Sequence, residues 1–132
     1  MPKKEIISIE DHWRVWWKFL ANQNPHQIAN DVGRPFKSIR VLPWKIAINY
    51  EGKGLSLVRY LRTHPRIKII RRMNKWTSRE ISVLKWRHDN PVPRLADPLS
   101  VEDIGFLLGR TKGAARKQIQ AMYPAPIVGI FF

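Results

Sequence analysis

The sequence predicts an all-α protein in which two copies of a three-helix unit flank a basic segment with a short helix of its own. Two observations lead there. Apolar residues recur at helical spacing in short stretches, opened by Ser, Thr or Asn and closed by Gly or Pro. The order of those stretches in the first third of the chain is then met again in the last third.

The first helix is announced by Ser8 and Asp11, a capping pair, with Trp13, Trp16, Trp17 and Leu20 as its apolar stripe. The second pairs Asn24 as N-cap with Pro25 at the first helical position, where a missing N–H costs nothing; Ile28 and Val32 face inward and Gly33 closes it. A third helix restarts at Pro35, and Pro43 is expected to end or kink it. "YEGKG" reads as a turn and "LSLVRYLRTH" as a short helix with Leu55, Val58 and Leu61 on one side, stopped by Pro65. "RIKIIRR" alternates in a way that suits an extended segment, either a strand or a linker.

In the last third, Thr77 and Glu80 form a capping box ahead of a helix over about 78–88, with Ile81 and Leu84 inward. Pro91, Pro93 and Pro98 make the next stretch a loop. Ser100 and Asp103 open a helix striped by Ile104, Leu107 and Leu108 and closed by Gly109. Thr111 caps a final helix with Ala115, Ile119 and Met122 on one face. Aligning the apolar positions sets Trp13 on Ile81 and Trp16 on Leu84, 68 residues on. It sets Ile28 on Ile104, Gly33 on Gly109, Arg34 on Arg110 and Arg40 on Arg116, 76 residues on, the extra length falling in the proline-rich loop. The expected organisation is a first unit over 7–48, a basic connecting segment over 49–74, a second unit over 75–123 and an apolar tail over 124–132.

Length and composition bound the function. A chain of 132 residues, 44% hydrophobic, suffices for one compact domain or two very small ones. No apolar run approaches a membrane span, and "MPKKEIISIEDHW" turns acidic and aromatic where a secretion signal needs an apolar stretch. There is no cysteine, which excludes disulfides and thiolate metal sites. An intracellular protein is expected: in the cytoplasm or nucleoid if microbial or viral, in the nucleus if eukaryotic.

Twenty-four Lys and Arg against ten Asp and Glu give a net charge of +14, which favours a polyanionic partner. Between Arg34 and Lys75 the only acid is Glu51. His12, His26, His64 and His88 lack ligand spacing, and no carboxylate pair is placed for a metal, so neither an enzyme nor a cofactor is expected. The six tryptophans suit core positions in small helical units, with Trp17 and Trp86 expected to be the most exposed.

Lys75 to Ile119, "KWTSREISVLKW" through "LSVEDIGFLLGRTKGAARKQI", resembles a Myb/SANT repeat of the homeodomain-like helix-turn-helix group. Trp76, Thr77, Glu80, Leu84, Ile104, Leu108, Gly109, Arg110 and Thr111 carry the likeness; Gly105 replaces the usual alanine, and Ile119 stands where tryptophan is common. The stretch from about Ile7 to Ile48 looks like a more divergent copy, with Ser8 in the place of Trp76 and Pro43 in that of Ile119. Together the two cover roughly two thirds of the chain. "LGRT" also occurs in related trihelical proteins such as phage small terminase subunits.

The resemblance implies that the third helix of each unit reads the major groove of double-stranded DNA. Lys112, Arg116, Lys117 and Gln120 are then expected at base edges in the second unit, and Lys37 and Arg40 in the first. Arg110 and Thr111, at a helix start, suit phosphate. So do Arg34, Lys45, Arg59, Arg62, Arg66, Lys68, Arg71, Arg72 and Lys75 from the basic band. The expected function is a sequence-specific transcriptional regulator, monomeric or homodimeric. Two rivals stand beside it: a protein docking on RNA polymerase or on a small-terminase-like packaging assembly, and a non-specific DNA-coating protein. The tail "YPAPIVGIFF" either packs back on the domain or inserts into a protein partner or a second copy of the chain.

Overall fold

The computed structural model describes residues 7–64, 75–89 and 98–124. Among them the chain is all-helical, with seven α-helices and no strand. Helix α1 spans Ile9–Leu20, α2 Pro25–Val32 and α3 Phe36–Ala47; a 3-10 turn at Tyr50–Gly52 leads into α4, Lys53–Thr63. Then come α5, Ser78–Asp89, α6, Val101–Leu107, and α7, Lys112–Met122.

Local chemistry accounts for most of the boundaries. The Ser8, Ser100 and Thr111 hydroxyls accept from the backbone N–H of Asp11, Asp103 and Ala114 at 3.2, 3.0 and 3.1 Å, and Asn24 Oδ1 accepts from His26 N at 2.8 Å. The Thr77–Glu80 box closes in both directions: Glu80 N donates to the Thr77 hydroxyl at 3.2 Å and Thr77 N to Glu80 Oε1 at 3.1 Å. Gly33 and Gly109 end their helices in the left-handed region, at φ 72° and 71°. Before α4, Asn49 and Glu51 are also left-handed, and the buried Asn49 side chain accepts from Leu55 N at 2.9 Å, supplying a capping bond from outside the helix.

Of the two outcomes expected at Pro43, an end or a kink, the end does not occur: helix α3 runs on to Ala47. Pro43 forfeits one backbone hydrogen bond, and packing offsets it: Ile39, Leu42, Pro43, Ile46 and Ala47 are all buried. Helix α3 is the hub of the molecule, in contact with α1, α2, α4 and α5.

The two halves share one core. Val15, Trp16, Leu20, Ile28, Ile39, Leu42 and Ile46 from one side join Val83, Leu84, Leu99, Ile104, Leu107 and Leu108 from the other, with Leu57, Val58 and Leu61 of α4 between them. Fully buried Trp16 donates its indole N–H to the Leu107 carbonyl at 2.9 Å, tying α1 to α6. Arg79 on α5 donates to the carbonyls of Phe19 and Gln23 at 2.8 and 2.7 Å, with its guanidinium 4.8 Å from the Phe19 ring. It thus covers the open carbonyl end of α1, where a cation is favoured. Trp86 packs tilted on Phe19, ring centres 5.8 Å apart, and is half-buried rather than exposed. Trp17, at 38% relative exposure, is exposed as expected.

Caps and burial give two registers for the start of the internal repeat. Ser8 matches Thr77 and Asp11 matches Glu80, 69 residues on, and both helices have 12 residues. The buried pairs Val15–Trp16 and Val83–Leu84 match instead at the expected shift of 68, where both members of each pair coincide. In the register of the caps Ile7, packed against the core, holds the place of Trp76.

Candidate nucleic-acid interface

The surface that matters is built on the turn from α6 to α7. Arg110 N donates to the Gly105 carbonyl at 2.8 Å, folding the chain back on α6. A Cβ at Gly105 would lie 3.2 Å from the carbonyls of Arg110 and Thr111 and 3.3 Å from the Ala115 Cβ, so the missing side chain lets the two helices approach closely. Ala115 is buried, and Ile119 and Met122 pack half-buried on the core. Lys112, Gly113, Arg116, Lys117 and Gln120 are all exposed. At roughly 100° per residue these five positions fall within an arc of about 140°. The structure thus gathers the four residues expected at base edges in this half on one open face.

Acids are segregated by helix. Helices α3, α4 and α7 carry three Lys or Arg each and no Asp or Glu. The helical acids belong to α1, α2, α5 and α6: Glu10, Asp11, Asp31, Glu80, Asp89, Glu102 and Asp103.

Two expected phosphate contacts are spent inside the protein. Arg110 donates from Nε to Glu80 Oε2 at 2.9 Å and from Nη2 to Glu80 Oε1 and the Lys75 carbonyl, both at 3.0 Å. The two side chains are 3% and 0% exposed, and the guanidinium lies 4.5 Å from the Trp76 ring centre. A phosphate cannot reach it, and Arg110 is removed from the expected set. Arg34 repeats the arrangement, donating to Asp11 Oδ2 from Nε at 3.3 Å and Nη2 at 3.1 Å, with side chains 21% and 11% exposed. It too serves mainly to hold the turn on the first helix of its half. In each half, the acid of the capping pair meets the arginine that follows the left-handed glycine.

The remaining expected cations differ in freedom. Lys37, Arg40, Arg59 and Lys75 are exposed, as is uncharged Thr111, whose hydroxyl caps α7. The Arg40 guanidinium sits 6.0 Å from the Phe36 ring, which itself stacks on His26 at 3.8 Å. Lys45 is half-buried, its ammonium 5.4 Å from the Tyr50 ring. Arg62 reaches across to α6, 3.5 Å from Asp103 and 4.5 Å from the Phe106 ring centre, with its side chain still 47% exposed. Arg66, Lys68, Arg71, Arg72 and the tail over 125–132 lie outside the described residues.

Other features went unread in the sequence. Arg79 is a structural clamp, and burial lowers its pKa from the ordinary arginine value. His12 is buried on α1, with Nδ1 donating to the Ser8 carbonyl at 2.7 Å, and burial pushes its pKa below the usual imidazole range. Among the described residues no group of three or more His, Cys, Asp or Glu is placed to hold a metal ion, and no helix is long and apolar enough to cross a membrane. No family model, curated protein or solved structure matches the chain, so the likeness to Myb/SANT repeats rests on the residues named above.

Proposed function

We propose that this protein binds double-stranded DNA as a sequence-specific transcriptional regulator, laying α7 in the major groove. The observation that carries the reading is the exposed, acid-free face of Lys112, Arg116, Lys117 and Gln120 on a helix whose other side is fixed by Ala115, Ile119 and Met122. A groove about 12 Å wide admits one such helix. Arginine can bridge guanine O6 and N7, glutamine can pair with adenine, and the flanking cations neutralise phosphate. In this reading α1–α3 and α5–α7 are two helix-turn-helix units of Myb/SANT type. The left-handed turns at Gly33 and Gly109, each followed by an arginine held to the first helix, support it.

The test is selection from a random duplex pool at two salt concentrations, with the wild type and the Arg116→Ala/Lys117→Ala variant. An enriched motif lost in the variant is the expected result. With about six to eight phosphates neutralised, log K should fall against log salt with a slope of roughly −5 to −7. Equal binding of all sequences by both proteins would make the chain a DNA-coating protein. Absence of binding at moderate salt would sink the reading.

A further inference from the structure

We infer that only α7 reads bases, so that the DNA site is one short uninterrupted motif and not a pair of half-sites. The inference rests on the DNA-binding reading above and departs from the expectation that each third helix occupies a groove. The two third helices occupy unlike positions in the fold. Helix α7 lies broadly against α6 and meets α5 at its end, where His88 stacks on Tyr123 at 3.6 Å. Its polar face is open from Lys112 to Gln120. Helix α3 is held by α1, α2 and α4 and, from the other half, by α5.

What α3 leaves outward is also different in kind. Its exposed polar groups are Lys37 and Arg40, both in its first half; the arc continues with half-buried Val41 and Trp44. Base edges are distinguished by hydrogen-bond donors and acceptors along several adjacent pairs. Lys37 and Arg40 make a short cationic end suited to phosphate, with Arg40 already leaning on the Phe36–His26 stack. The shared core also fixes α3 relative to α7 through α5 and the Trp16–Leu107 bond, so the halves cannot turn independently to follow a groove.

The size of the motif follows from α7. From Lys112 to Gln120 the helix advances roughly 12 Å, and at 3.4 Å per base pair that covers about four pairs. A tandem reader would instead show a second group of specified bases, read by α3 and lost when Lys37 and Arg40 are removed.

The experiment uses the full chain in three forms: wild type, Arg116→Ala/Lys117→Ala, and Lys37→Ala/Arg40→Ala, each shown to be folded by its circular-dichroism melt. Random-duplex selection gives the motif, and affinity is then measured on duplexes of 12 and 26 base pairs carrying it once. The expected result is one contiguous motif of about four to six pairs, unchanged in Lys37→Ala/Arg40→Ala, with that variant's salt slope shallower by about 2. A bipartite motif, one half of which is lost in Lys37→Ala/Arg40→Ala, would overturn the inference while leaving DNA reading intact. Binding without any motif would also overturn it, because then neither helix reads. Absence of DNA binding in the wild type would remove the proposed function itself.

Discussion

Replacing Arg110 by methionine separates structure from recognition at the α6–α7 turn. Glu80 would keep its bond from Thr77 N but lose both bonds from the guanidinium, at a position where its side chain has no exposure. Stranding one partner of a buried ion pair costs about 3–5 kcal/mol, against a total stability of roughly 5–15 kcal/mol for a domain. At about 3–6 °C per kcal/mol for a chain of this size, the melting midpoint should fall by roughly 10–30 °C. Replacing Glu80 by methionine as well removes the stranded charge, and the Arg110→Met/Glu80→Met protein should recover most of the loss. The equivalent Arg34→Met change should cost less, about 1–2 kcal/mol, because the Arg34–Asp11 pair is partly wet. Thermal melts by circular dichroism, read beside DNA titrations well below the midpoint, check both halves of the argument. A midpoint within 3 °C of wild type, together with a salt slope reduced by one charge, would refute it, since that is the behaviour of a phosphate contact.

Three further expectations follow from the shared core and its buried polar groups. Urea unfolding followed by tryptophan fluorescence and by far-ultraviolet circular dichroism should give coincident single transitions; two separated transitions would mean that the halves fold independently. Trp16→Phe should lower stability by about 2–4 kcal/mol, from the lost bond to the Leu107 carbonyl and from the space left in a fully buried site. An unchanged urea midpoint would show that this bond contributes nothing. His12 sits beside Lys53 and Asp11, and burial is the chief cause of its lowered pKa. The unfolded chain therefore takes up that proton first as pH falls: the contribution to stability is complete above about pH 6.5 and lost on acidification through the folded-state value. The midpoint should drop as pH falls below about 6.5, and His12→Gln should flatten that drop; an identical pH profile in the variant would reject the assignment.

The parts of the fold legible in the sequence are those set by residues a few positions apart. Thr77–Glu80, Asn24–Pro25 and Thr111 mark helix starts through bonds made within one turn, and the local pattern contains the whole interaction. Pro43 does not end α3, because tertiary burial on several sides offsets the lost backbone bond. Arg110 was misread as a phosphate ligand because its partner is 30 residues away. A signal did exist: both halves pair an acid three residues after a cap with an arginine after a glycine, and a recurrent acid and base are candidates for each other before they are candidates for a ligand. Nothing local marks Trp16 as the donor to Leu107, since the two are 91 residues apart. The exposed face of α7 was readable because amphipathic spacing and capping are both local.

Gly105 offers the sharpest separation of binding from stability. Alanine there gains about 1 kcal/mol in helix propensity over glycine. It also sets a methyl 3.2 Å from two backbone carbonyls of the turn and 3.3 Å from Ala115, tighter than ordinary contact, so α7 must yield by a few tenths of an ångström. The propensity gain and the packing strain are of similar size and opposite sign, and the melting midpoint should move by only a few degrees. Base readout is less forgiving, because a displaced helix loses bidentate geometry at every base pair it reads, each worth about 1–3 kcal/mol of discrimination. Gly105→Ala should therefore narrow the affinity gap between the selected motif and a random duplex by at least tenfold, while binding to random duplex stays within about twofold. A variant that keeps full preference for the motif would show that the seat of α7 on α6 does not control recognition. One that unfolds outright would show that Gly105 is needed to close the turn at all.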